Sequence, residues 1–192
     1  MTINEFIFKV RRKLKNIFEY ALFQYPRVLK YKLLSNCRNV IGKPIYNQPA
    51  QLLGRGRIVF GKNVNLGVNP SPFFYTGYCY IDARKVESYI SIGDDCWINN
   101  NATIVSDGTK ISIGSKCLIG CNVEITDSDF HELAPENRFG GKNIIQKSVI
   151  IEDNVFIGNN VTILKGVRIG KNSVIGNRAV VTKDIPQNSI AV

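Results

Sequence analysis

A mainly β protein wound as a parallel β-helix is predicted by three observations. Aliphatic residues recur at every sixth position toward the C-terminus, at Ile151, Ile157, Ile163, Ile169, Ile175 and Val181. Four positions after each of them stands a small or β-branched residue: Val155, Val161, Val167, Ser173, Ala179 and Ile185. Glycine follows the aliphatic residue at Gly158, Gly170 and Gly176, where the backbone has to turn a corner without a bulky side chain. Neither the helical period of 3.6 nor the strand period of 2 produces a strict six-residue beat. Short strands stacked coil on coil, burying one apolar stripe, do produce it.

The beat extends upstream with less regularity. It begins weakly at Phe60 and Leu66, each followed by glycine, and is disturbed through residues 70–80 by prolines and aromatics. It is clear at Ile92, Ile98 and Ile104, then at Ile113, Ile119 and Ile125. Ile104 and Ile113 are nine residues apart instead of six, so three residues are extruded around positions 106–110. After Ile125 the beat lapses until residues 149–151, leaving an extruded loop over residues 127–147 that holds the only histidine, His131. A loop that long within a compact domain points to function or disorder.

The N-terminal part differs in character. Residues 1–43 carry ten Lys/Arg against two Asp/Glu, so +8 of the net +10 lies there, whereas residues 44–192 carry +2. Basicity therefore belongs to an arm and not to the solenoid. The predicted organisation is a basic amphipathic helical arm over 1–43 and a β-helix domain over 44–192, with residues 44–49 as a linker between them. Within the arm, Ile3, Ile7, Val10, Leu14, Ile17, Ala21 and Tyr25 recur at helical spacing, and Pro26 is expected to end that helix before a second short one over 27–35. Two readings stand for the arm. One is a helical hairpin that covers an open end of the solenoid, as terminal repeats require. The other is a basic, aromatic-bearing helix, residues 1–36, in peripheral contact with an anionic membrane. Nothing resembles a nucleic-acid recognition fold.

The five cysteines form no C-x-x-C pair, and Cys96 and Cys117 fall at the small fifth position of their hexapeptides. Buried, reduced thiols in a cytoplasmic protein are expected, with no metal site. No apolar run reaches the ~18 residues of a membrane span. Asn4, Glu5 and Lys9 do not suit a signal peptide.

The six consecutive hexapeptides resemble those of the hexapeptide-repeat acyltransferases, and the resemblance covers roughly residues 58–192. It implies a left-handed β-helix with three hexapeptides per triangular coil, acetyl-CoA as acyl donor, and a homotrimer whose sites lie between subunits. In the sugar O-acetyltransferase branch, galactoside and maltose acetyltransferases among it, a histidine follows the repeat that precedes the long loop, and His131 holds that place. Asn99 and Asp107 match the acceptor-contacting Asn and Asp of that branch. Phe156, Gly158, Asn159, Gly176, Asn177, Thr182 and Lys183 match positions lining the coenzyme groove, with Phe156 standing where those relatives have tryptophan. The γ-class carbonic anhydrases of the same fold need three histidines on zinc, which this chain does not possess.

These residue types suit acyl transfer. A hydroxyl is a weak nucleophile, and a neutral imidazole removes its proton as it attacks the thioester carbonyl. Asp127, Asp129 and Glu132 are each candidates to orient that imidazole. The expected function is O-acetylation of a sugar, in cell-surface polysaccharide or glycan synthesis, at the cytoplasmic face of the membrane. N-acetylation of an amino sugar and a non-catalytic binding scaffold are the alternatives.

Overall fold

A computed structural model of the protein describes residues 2–192. From Val40 onward the chain winds as a left-handed parallel β-helix with three flat sides. Sheet A stacks Val40–Ile41, Arg57–Phe60, Tyr89–Ile92, Lys110–Ile113, Val149–Ile151 and Arg168–Ile169. Sheet B stacks Ile45–Tyr46, Asn65–Leu66, Trp97–Ile98, Leu118–Ile119, Phe156–Ile157, Val174–Ile175 and Ile190–Ala191. Sheet C stacks Ala50–Gly54, Cys79–Ala83, Thr103–Ser106, Glu124–Thr126, Thr162–Ile163 and Val180–Val181.

The aliphatic beat becomes three interior columns, one from each sheet. Ile92, Ile113, Ile151 and Ile169 lie in register on sheet A. Leu66, Ile98, Ile119, Ile157 and Ile175 do so on sheet B, and Ile81, Ile104, Ile125, Ile163 and Val181 on sheet C. All of them are buried, and dispersion between like side chains down each column adds to the area removed from water. The small fifth positions fill the space between columns. Ser173, the polar exception there, is fully buried and satisfied: its hydroxyl donates to Pro186 O at 2.7 Å and accepts from Ser189 N at 3.2 Å.

Asparagines build the corners. Asn101, Asn122 and Asn160 take φ of 61°, 56° and 57°, a left-handed conformation that asparagine tolerates better than most residues. Their carboxamides hydrogen-bond in a ladder along the solenoid at 2.9 and 3.0 Å. Asn154, Asn172 and Asn188 repeat the device at another corner.

Two sequence expectations are corrected. Residues 44–49 are not a linker: Ile45–Tyr46 pairs with Asn65–Leu66 as the first rung of sheet B. Its apolar signal is weak because Ile45 points outward, and the flanking Pro44 and Pro49 mimic a linker composition. The N-terminal helix does not end at Pro26 either. Helix α1 spans Ile3–Glu19, a π-type turn follows at Tyr20–Gln24, and α2 spans Tyr25–Leu34. Pro26 sits in the first turn of α2, directly after the π-type turn in which Tyr25 N–H bonds Tyr20 O.

The arm is anchored from Tyr20 onward, where the Tyr20 hydroxyl donates to Tyr46 O at 3.1 Å. Gln24 is fully buried, and its Nε2 donates to Phe74 O at 2.8 Å and Asn47 O at 3.2 Å. Arg27 donates to Phe74 O and Gly77 O at 3.1 and 2.6 Å, and Val28 is buried.

Candidate active site

The loop over 127–147 leaves sheet C at its junction with sheet A and returns to the same corner. Its neck is held by polar contacts. Asp127 is fully buried and accepts from Ser106 Oγ, Asp107 N and Thr109 Oγ1, each at 2.7 Å, and from Thr109 N at 3.1 Å. This carboxylate shapes the three-residue extrusion between Ile104 and Ile113. Asp107, nearly buried, receives Lys85 Nζ at 3.1 Å and Gln146 Nε2 at 2.9 Å on Oδ2. Ser128 and Gln146 form an antiparallel bridge across the neck. Lys165 Nζ, from the next coil, pairs with Asp129 Oδ1. The other oxygen of that carboxylate, Oδ2, is buried and makes no hydrogen bond.

His131 stands exposed beyond this neck. Its Nδ1 lies 3.2 Å from the carbonyl oxygen of Arg138, and the backbone N–H of His131 donates to Asp129 O at 2.7 Å. A carbonyl only accepts, so Nδ1 is the donor, and in the neutral ring Nε2 then presents a lone pair. None of the three candidate carboxylates orients the ring. Asp127 holds the extrusion and Asp129 holds Lys165, while Glu132 accepts from Asn137 Nδ2 at 2.9 Å and Asn143 N at 3.2 Å to close the loop on itself. The orienting group is a backbone carbonyl, which residue identities do not reveal.

The other residues fall at two separate edges of sheet C. At the junction with sheet B, Asn99 stands in register with Gly67, Gly120, Gly158 and Gly176, a column of glycines that leaves its carboxamide room. Outside this column Trp97, Leu118 and Phe156 stack in register, each roughly half exposed. Asn99, Trp97, Leu118, Phe156, Gly120 and Asn159 line a cavity of ≈ 360 Å³. Asn159 and Asn177 also serve the scaffold: Asn159 Oδ1 accepts from Cys121 N at 2.9 Å, and Asn177 Oδ1 accepts from Asn159 N at 2.7 Å. Gly158 is required there, because a Cβ would lie 2.8 Å from Asn177 N. Thr182 and Lys183 are exposed at the opposite edge, in register with Leu164 and Lys165, beside the neck of the His131 loop. At ~3.3 Å per strand residue the two edges are on the order of 15 Å apart. A single chain therefore does not bring Asn99 and Phe156 to His131.

A second cavity, ≈ 340 Å³, adjoins the first and shares Val68 and Trp97 with it. Asn16, Glu19 and Tyr20 from the arm face Asn47, Asn69, Phe74 and Tyr75 across it. Aromatic faces, amides and one carboxylate suit a polyhydroxylated ligand. Sequence reasoning missed these residues, although Trp97, the only tryptophan, stands out at an outward hexapeptide position. Among the described residues no cluster of His, Cys, Asp and Glu forms a metal centre.

Comparisons agree with this architecture. Residues 148–183 match the family model described as bacterial transferase hexapeptide (six repeats). A hexapeptide-repeat-containing acetyltransferase from Vibrio cholerae O1 biovar eltor, solved with acetyl-coenzyme A, is 26% identical over 86% of this chain and 70% of that one, with a TM-score of 0.51. Galactoside acetyltransferase in complex with coenzyme A is 34% identical over 68% of this chain, which spans 58% of that protein, with a TM-score of 0.52. The polySia-specific acetyltransferase NeuO is 26% identical over 79% of this chain and 62% of that one, with a TM-score of 0.56. Comparison with curated protein sequences gives no match. The repeat and the fold are like those of hexapeptide-repeat acetyltransferases, to which this chain is similar.

Proposed function

We propose that the protein transfers the acetyl group of acetyl-CoA to a hydroxyl of a sugar, with His131 as general base. The observation that carries this reading is the Nδ1–Arg138 contact, which leaves Nε2 of an exposed imidazole as a proton acceptor. In the proposed step Nε2 takes the hydroxyl proton while the oxygen attacks the thioester carbonyl carbon. The resulting tetrahedral oxyanion is held by a backbone N–H. Collapse breaks the C–S bond, and the imidazolium returns the proton to the departing thiolate of CoA. No acyl-enzyme forms.

We assign the cavity beside Phe156, Gly158, Asn159, Gly176 and Asn177 to the pantetheine side of the donor, and Thr182 with Lys183 to its far end. Lys183, an exposed point charge, suits the coenzyme phosphates. The arm-side cavity around Trp97 and Tyr75 takes the acceptor, and Asn99, which lines the adjoining cavity next to Trp97, contacts the acceptor from that side. Asp107 acts as a positioning residue through Lys85 and Gln146 at the neck of the loop.

Because the two groups of residues occupy opposite edges of sheet C, the reading requires a homotrimer in which the His131 edge of one copy adjoins the Asn99 edge of the next. The glycan-directed NeuO among the structural neighbours favours an acceptor sugar within a cell-surface glycan. The test measures release of CoA thiol from acetyl-CoA with hydroxyl and amino sugars offered side by side, together with mass by light scattering. Acetylated hydroxyl sugar from a trimer is expected. Turnover only with amino sugars, or by a stable monomer, would overturn the reading.

A further inference from the structure

Helix α1 carries an apolar face that the rest of the chain leaves uncovered. At about 100° per residue, Ile3, Phe6, Ile7, Val10, Leu14 and Ile17 fall within roughly one third of its circumference. Each of them is between 40% and 80% exposed. Arg11 and Lys13 flank this face, and Lys9, Arg12 and Lys15 lie further round. With Glu5 and Glu19 as its only acids, α1 carries five positive charges against two negative.

The helix starts without help from the β-helix. Thr2 Oγ1 accepts from Glu5 N at 3.2 Å, and Glu5 Oε2 accepts from Thr2 N at 2.9 Å, closing a capping box. Its last turn borders the solenoid, where Asn16 and Glu19 share a cavity with Trp97.

Two occupants compete for the apolar face, and charge decides between them. Every copy of the chain bears the same cationic arm, +8 over residues 1–43, so the α1 helices of two copies repel. The remainder of the chain, at +2, offers no net negative surface to attract them. An anionic bilayer matches both features, taking the apolar stripe into its acyl boundary and the flanking cations at its phosphates. Among the described residues no helix is long and apolar enough to cross a membrane. We propose that α1 lies in the plane of an anionic phospholipid bilayer, with Ile3, Ile7, Val10 and Leu14 inserted and Arg11 and Lys13 at the headgroups.

The test sediments the full chain with vesicles of phosphatidylglycerol and phosphatidylcholine, and with vesicles of phosphatidylcholine alone. Pelleting with the anionic vesicles only, reversed by added salt, is expected. Replacing Arg11→Gln and Lys13→Gln together is expected to lower the vesicle partition about 30-fold, from the usual worth of two cations near an anionic surface. Leu14→Glu is expected to abolish pelleting while thermal unfolding of the β-helix, mass by light scattering and acetyl transfer to a soluble acceptor stay unchanged. Equal pelleting with both vesicle types, or undiminished binding by Leu14→Glu, would overturn the proposal. A change of mass in that variant would overturn it too, by assigning the face to contact between protein chains.

Discussion

Lys165 Nζ lies 2.6 Å from Asp129 Oδ1, and this pair ties the loop that carries His131 to the coil stacked next to it. The same corner holds the returning strand, since Gly166 N donates to Lys147 O at 3.1 Å. Both side chains are mostly buried, at 21% and 18% exposure, so the pair is worth more than a surface bridge. Lys165→Met strands the carboxylate, whose second oxygen has no partner. The expected loss is about 2 kcal/mol, or a melting temperature lower by about 4–8 °C. Turnover should fall with it as the loop loses its seat, and Lys165→Arg should restore most of both. Unchanged melting in the Met variant, followed by circular dichroism, would show that the pair holds nothing.

Trp97 and Asn99 define the acceptor side of the account. Trp97→Ala removes the wall shared by the two cavities, and Asn99→Ala removes a carboxamide that lines the cavity beside Phe156. Both are expected to raise the acceptor KM, by roughly tenfold or more for one lost hydrogen bond or stacking contact. The KM for acetyl-CoA should move less in Asn99→Ala than the KM for sugar. Steady-state kinetics with each substrate varied separately checks this.

Gly158→Ala is expected to destabilise the fold by about 1–3 kcal/mol, because the added Cβ meets the backbone nitrogen of Asn177 at 2.8 Å in a packed corner. Chemical denaturation with an unaltered slope would report this loss.

The glycine and aliphatic positions from residue 92 onward were legible in the sequence because every side of the coil turns its aliphatic residue inward at the same place. The beat therefore recurs once per side, while each interior column is revisited once per full coil. The first rungs were not, since outward-pointing Ile45 and the flanking Pro44 and Pro49 break the beat while the backbone pairing of Ile45–Tyr46 with Asn65–Leu66 survives. At the site, the loop and its histidine announced themselves by interrupting the metre. What orients His131 did not, because the Arg138 carbonyl is backbone and bears no relation to residue type. Asp127, Asp129 and Glu132 all looked equivalent by spacing, and tertiary contacts give each of them a different structural task. The separation of Asn99 from His131 follows from which corner of the coil each occupies.

Thiol chemistry offers an independent check of the packing. Cys79, Cys96, Cys117 and Cys121 are buried, and Cys37 is partly exposed. Burial pushes the Cys79 thiol up to about 12, so it remains protonated and unreactive at neutral pH. Burial also raises Cys37 and Cys121. Native protein should react with a disulfide reagent slowly and at Cys37 first, and all five thiols should appear on unfolding.

The role of His131 is tested most directly by single-turnover acetyl transfer in His131→Ala, measured beside acetyl-CoA binding and light scattering on the same sample. The expected rate is lower by about two to four orders of magnitude, the usual worth of a positioned general base. Donor affinity, mass and melting temperature should be close to wild type, since the imidazole is exposed and its ring bonds only within the loop. Near-normal transfer by a folded variant that still binds acetyl-CoA would contradict the assignment of His131 as the base.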